Sequence, residues 1–239
     1  MKTFGKVIRS TAVLAVLTAS SAFGVSNVTA TKHNLASGGS GTIKATAGES
    51  NDEICVYCHT PHAANTAFVG APLWNKATPS GTFTMYGAAS AGIAGATIAG
   101  TATDAAPASS SMACLSCHDG VSAINSMVNA PGSGGYVAAG ANVLFNGVTT
   151  AKLIPAGVTN IGTDLRNDHP VSITYLPGAA GLKPLATALT GWAGASTIGG
   201  LLRATKVECG SCHDPHENVS NFLRVSNTGS ALCIGCHAK

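Results

Sequence analysis

The chain has 239 residues, with 13 Lys and Arg against 10 Asp and Glu, and only 10% charged and 5% aromatic residues beside 29 glycines. No basic run and no aromatic platform accompany that charge, which argues against a nucleic-acid-binding surface. A domain of this length ordinarily buries a large aliphatic and aromatic core, and this composition is poor in the residues that would build one.

The chain opens with a basic stretch at Lys2, Lys6 and Arg9, followed by an apolar run from about Thr11 to Ala19. Small residues then lead to Val28-Thr29-Ala30, which fits a signal-peptidase site after Ala30, with Ala22 and Gly24 as less well formed alternatives. The apolar run is too short to span a bilayer, and no other segment qualifies, so the expectation is an exported protein without a membrane span. Residues 1–30 read as a signal peptide and residues 31–239 as one domain. Loss of the signal removes Lys2, Lys6 and Arg9 and no acid, so the 13 basic residues fall to 10 against 10 acidic ones.

His33 to Lys44 reads as a flexible lead with GGSG at 38–41. Asn51 to His62 reads as a short helix or turn. It carries CVYCH, with Cys55, Cys58 and His59. Thr82 to Ser111 is small and polar and reads as loose strand or surface loop, or else as a linker between separate domains. CLSCH follows, with Cys114, Cys117 and His118, and GVSAINSMV after it reads as a helix. Pro131 to Leu202 is broken by Gly and Pro and contains Asp168-His169-Pro170. The chain closes with CGSCH (Cys209, Cys212, His213) and CIGCH (Cys233, Cys236, His237).

All 8 cysteines therefore lie in Cys-x-x-Cys-His strings. Two thiols at that spacing can add across the two vinyl groups of one haem, and the next residue delivers an imidazole to the iron. Zinc sites with four thiolates, thioredoxin-like pairs and disulfide frameworks also use paired cysteines, but none of them requires the histidine. The reading is four covalently attached haem c groups, with His59, His118, His213 and His237 as proximal ligands. The expected fold is mainly irregular coil with short α-helices around the haems and little β-structure. The porphyrin faces would supply the apolar surface that the composition lacks. Long loops usually count against such an assignment, but covalent haems cross-link and pack them.

Of the 8 histidines, those outside the motifs are His33, His62, His169 and His216, one for each haem. The match predicts bis-histidine irons with these four as distal ligands. His62 ends CHTPH and His216 ends CHDPH. A three-residue step stiffened by proline cannot wrap round a porphyrin edge to reach the opposite face of the same iron. His62 and His216 are therefore expected to serve neighbouring haems, which draws the haems into a chain. Asp168 is positioned to accept the ring N–H of His169, or else caps the backbone beside a structural histidine. Met85, Met112 and Met127 are alternative axial ligands by chemistry, but their contexts read as packing.

The order CVYCHTPH, PLWN (72–75), MACLSCHDG, NDHPVSITY, VECGSCHDPHE, FLR and LCIGCHAK resembles the secreted tetrahaem c-type cytochromes of metal-reducing bacteria, and within them the extracellular filament-forming members. The likeness covers nearly all of residues 31–239, apart from the Ala/Gly-rich tracts at 86–111 and 132–141. It implies bis-His haems stacked in a continuous file, a mostly coil fold, and protomers polymerised head to tail. It also implies an axial histidine given across the subunit interface, a role that His33 fits best.

The expected function is extracellular electron transfer by a non-enzymatic carrier, with other redox proteins or extracellular acceptors as partners. One alternative is a soluble periplasmic shuttle that does not polymerise. The other is a multihaem reductase, which needs one open iron position and so an idle His33.

Overall fold

The computed structural model describes residues 28–46, 52–87, 103–131, 143–179 and 181–238. Most of the expected signal peptide, and most of the Ala/Gly-rich tracts at 86–111 and 132–141, lie outside these residues. The described chain is mostly coil with a few short helices and little sheet, as the composition predicts. The helices are α1 (Ser109–His118), α2 (Ile198–Leu201), α3 (Cys209–Cys212) and α4 (Ala231–Cys236). The strands are β1 (Lys44–Ala45), β2 (Phe145–Asn146), β3 (Ile173–Thr174) and β4 (Lys206–Val207). β1 pairs antiparallel with β2, placing Ala45 opposite Phe145, and β3 pairs antiparallel with β4, placing Ile173 opposite Val207. Among the described residues no helix is long and apolar enough to cross a membrane.

The helices follow the motifs. α1 ends on CLSCH, α3 is CGSC and α4 contains CIGC, while the first motif forms a single 3-10 turn over Cys55–Tyr57. Helical backbone brings the two cysteines of a motif onto adjoining positions one turn apart, which the chemistry of a shared ligand requires. α1 and α2 both pack on α3, so the second and third motifs meet at one junction.

The helix expected over GVSAINSMV is not formed; α1 runs through CLSCH and stops at His118. Asp119 explains the stop. Its carboxylate accepts the N–H groups of Val121 (2.9 Å) and Ser122 (2.6 Å) and the Ser122 hydroxyl, an Asx turn that competes with helical bonding. Gly120 then takes a positive φ of 71°, and a Cβ there would lie 2.4 Å from Asn160 Oδ1.

The segment read as a flexible lead is packed. Ala36 and Ala45 are buried, the Ala45 N–H donates to the Leu35 carbonyl, and Lys44 Nζ donates to the Gly39 carbonyl. Glycines at 38–41 serve close approach here, since a Cβ on Gly39 would sit 2.0 Å from the Asn34 carbonyl oxygen.

Among the described residues there are two apolar clusters, both small. One joins Ala36, Ala45, Tyr57, Ile124, Met127, Val143, Phe145 and Ile154; the other joins Phe83, Met85, Leu115 and Leu165. Met85 and Met127 are core residues, and Met112 packs against the second cluster. Among the described residues eight large apolar side chains stay exposed, including Val69, Leu73, Val158 and Ile234. Leu73 and Val158 adjoin Pro72 and Thr159, whose carbonyls accept the ring N–H of His59 and His118.

Candidate functional site

The imidazoles come together in pairs across long stretches of sequence. His59 faces His216 with ring centroids 6.1 Å apart, His118 faces His33 at 6.2 Å, and His237 faces His169 at 6.4 Å. Each pair joins a motif histidine to one from outside the motifs. Metal–imidazole bonds of about 2 Å, plus roughly 1 Å from nitrogen to ring centre on each side, separate two axial rings by about 6 Å. The three separations fit one iron between each pair. His62 and His213 are the remaining two, and among the described residues neither has an imidazole opposite it at this separation.

The outward edge of most rings is engaged. Nδ1–H donates to a backbone carbonyl in His59 (Pro72, 2.8 Å), His118 (Thr159, 2.7 Å), His213 (Asn221, 2.9 Å), His169 (Pro170, 3.0 Å) and, more weakly, His33 (Pro215, 3.4 Å). A carbonyl can only accept, so the proton is on Nδ1 and the Nε2 lone pair is free for a metal. Ligating histidines commonly give their second nitrogen to such an acceptor, which fixes tautomer and ring orientation.

One placement differs from expectation. The acceptor for His169 is the Pro170 carbonyl, not the Asp168 carboxylate. A carboxylate–histidine pair does exist, at His216, whose Nδ1 lies 3.3 Å from Asp214 Oδ1. His33 lies opposite His118 of the same chain.

Electrostatics follow from these contacts. The hydrogen bond from His216 holds the Asp214 carboxyl down at about 2, helped by Arg224 against partial burial, and Asp214 in turn raises His216. Burial, with the facing His118, pushes His33 down to about 4, so its imidazole is neutral near neutral pH. Phe222 stacks on the His33 ring at 4.1 Å and holds its plane.

Among the described residues no two cysteines are joined in a disulfide. Cys114 and Cys209, from the second and third motifs, hydrogen-bond to each other, which raises the first and lowers the second. Burial pushes Cys58 up to about 12, and the nearby Cys117 adds to it. Burial likewise pushes Cys212 up to about 11, with Cys236 adding to it. The first motif is therefore close to the second, the second to the third, and the third to the fourth. Among the described residues no three His, Cys, Asp or Glu side chains converge as a zinc site requires.

Polar side chains lock the first motif in place. Asn75 is fully buried; its N–H donates to the Cys58 carbonyl and its side chain exchanges hydrogen bonds with the Asn129 backbone. Asn129 Nδ2 then donates to the His62 carbonyl and to Thr60 Oγ1, both at 2.8 Å. Trp74 packs edge-on to His59 and donates its indole N–H to Ser116 in α1. Asn129, Phe222 and Asp214 were not singled out by sequence. Of these only Asp214 left a signal, the acid two residues before His216 in CHDPH.

A family model described as a doubled CXXCH motif matches residues 203–239, the segment that holds CGSCH and CIGCH. No curated protein matches the chain. The doubled motif, repeated in the first half of the chain as CVYCH and CLSCH, points to a multihaem c-type cytochrome, an electron-transfer protein that holds its haem covalently.

Proposed function

We propose that this chain is an exported tetrahaem cytochrome that conducts electrons outside the cell through four bis-histidine haem c groups, as one protomer of a head-to-tail filament. The observation that carries the reading is the set of three imidazole pairs at iron-spanning separation, with Nδ1 engaged elsewhere. In this reading residues 1–30 are the export signal.

Each haem, when bound, takes up and releases one electron at its iron. The chain's own contribution is to hold and orient. Cys55 and Cys58, Cys114 and Cys117, Cys209 and Cys212, and Cys233 and Cys236 supply the thioether links. His59 with His216, His118 with His33, and His237 with His169 supply the axial rings. His213 takes the remaining motif position, and His62 is its partner by elimination. Two imidazoles held this way would keep an iron bound in either redox state, so little would rearrange on electron transfer and no position would be left for a substrate. That favours a carrier over a reductase.

The CHDPH segment reaches from the third motif to the first through His216, and His33 lies against Pro215 of the same segment while facing the second. One peptide thus holds three of the proposed sites within reach of each other, which supports a haem file. The His62 ring is exposed, so its match with His213 is open to closure between neighbouring copies. A heterologous contact of that kind extends into a filament when its rotation does not close.

The test is the protein secreted by a host able to attach haem c, studied by reduced-state absorption for haem per chain and by electron microscopy for assembly. Four haems per chain in thin filaments are expected. Four haems in a monodisperse monomer would replace the filament with the soluble shuttle, and a chain without haem would end the reading.

A further inference from the structure

Lys76 and Glu208 are each only 1% exposed. Lys76 Nζ donates to the Ile124 carbonyl, and no carboxylate pairs with it among the described residues. Glu208 lies directly before Cys209. Its Oε2 accepts the hydroxyls of Ser111 (2.5 Å), from α1, and Ser172 (3.0 Å). Both serine oxygens already accept backbone N–H groups, from Cys209 and Ala108, so their protons are directed at the carboxylate. Both hydroxyls therefore converge on one carboxyl oxygen. Glu208 Oε1 has no partner at all, the one such buried side-chain atom among the described residues.

The other buried charges are compensated. Asp119 receives three hydrogen bonds, two of them from backbone N–H groups, and Arg224 pairs with Asp214 at 3.1 Å. Lys76 and Glu208 are left as opposite charges in a low-dielectric interior, which is costly unless something else interacts with them. They are also at different places. Lys76 adjoins Asn75, whose N–H is bound to Cys58 of the first motif, and Glu208 caps the helix of the third.

We propose that Lys76 and Glu208 set the haem potentials in opposite directions, the buried ammonium favouring an electron at the first motif and the buried carboxylate disfavouring one at the third. The proposal rests on the haem reading above. It gives the file a built-in slope, so that electrons entering toward the third motif come to rest at the first. A unit charge at roughly 10 Å and an effective dielectric of about 20 changes the reduced-to-oxidised ratio about tenfold at fixed potential.

The test is a spectroelectrochemical titration of the haem-loaded protein, comparing wild type with Glu208→Gln and Lys76→Met, with haem content and circular dichroism measured alongside. Glu208→Gln should raise the reduced fraction of one haem about tenfold at fixed potential, and Lys76→Met should lower that of another. Lys76→Arg should restore the wild-type curve. Shifts of the same sign in both variants indicate loosened packing and overturn the proposal, as do unchanged curves. If Lys76→Met does not assemble, the sign of the shift in the near-isosteric Glu208→Gln decides alone. A wild type that binds no haem would instead defeat the underlying reading, so the two failures are distinguishable.

Discussion

His216 lies nearly parallel to His59, with 18° between the ring planes and 6.1 Å between their centres, although it follows the third Cys-x-x-Cys-His string and His59 belongs to the first. Pro61 before His62 and Pro215 before His216 stiffen the step from each one's own motif, and the fold carries His216 to the first motif instead. The first and third motifs are thereby tied through a shared peptide.

Replacing His216 by Ala should leave one haem five-coordinate. The ferric electron paramagnetic resonance spectrum should gain one high-spin component while the other haems stay low-spin. A spectrum without that component would mean that His59 has another partner.

Asp214→Asn should act on two levels. The His216 ring loses its charged acceptor and becomes a poorer donor, so the potential of the first-motif haem should rise. Arg224 also loses its ion partner, at a cost of about 2 kcal/mol in stability. A redox titration checks the first effect and urea unfolding the second. Glu at this position should not rescue the potential, because the longer side chain displaces the contact.

Gly235→Val should block the fourth site. A Cβ at Gly235 would lie 2.3 Å from Trp192 Cζ2, so the indole packs directly on the turn between Cys233 and Cys236. A larger side chain must expel Trp192 or unwind α4, an overpacking cost of about 2 kcal/mol. Intact-mass measurement should show chains one haem short, and Trp fluorescence should report the displaced indole.

Leu115→Ala removes the central side chain of the smaller apolar cluster, where it is 1% exposed beside Phe83, Met85 and Leu165. The expected loss is about 3 kcal/mol. With so small a cluster the effect should concentrate on α1. Hydrogen exchange at the amides of residues 112–118 is the measurement that reads it.

What could be read from sequence was chemistry confined to adjacent positions. Two thiols and an imidazole in five residues announce themselves, and the scarcity of apolar side chains foretold short helices and long coil. Pairing was less legible, because which imidazole meets which depends on how distant loops return. The acceptors at Pro72, Thr159 and Asn221 left no trace, since a backbone carbonyl belongs to every residue. Asp168 drew attention by adjacency to His169, yet the Pro170 carbonyl takes the ring proton, while Asp214 pairs with His216 across a proline. The helix expected after CLSCH failed on a local rule: Asp119 and Gly120 form a stop signal that outweighs the apolar pattern beyond them. His33 and the glycines after it looked like a loose end, but small residues there permit close chain packing.

The central claim is that every motif histidine shares an iron with a histidine from elsewhere in the chain or its neighbour. Low-temperature electron paramagnetic resonance of the fully oxidised protein, with iron counted per chain, tests it most directly. Four irons, all low-spin, are expected. A high-spin iron in the native protein, or fewer than four irons in a chain whose cysteines are all modified, would contradict it.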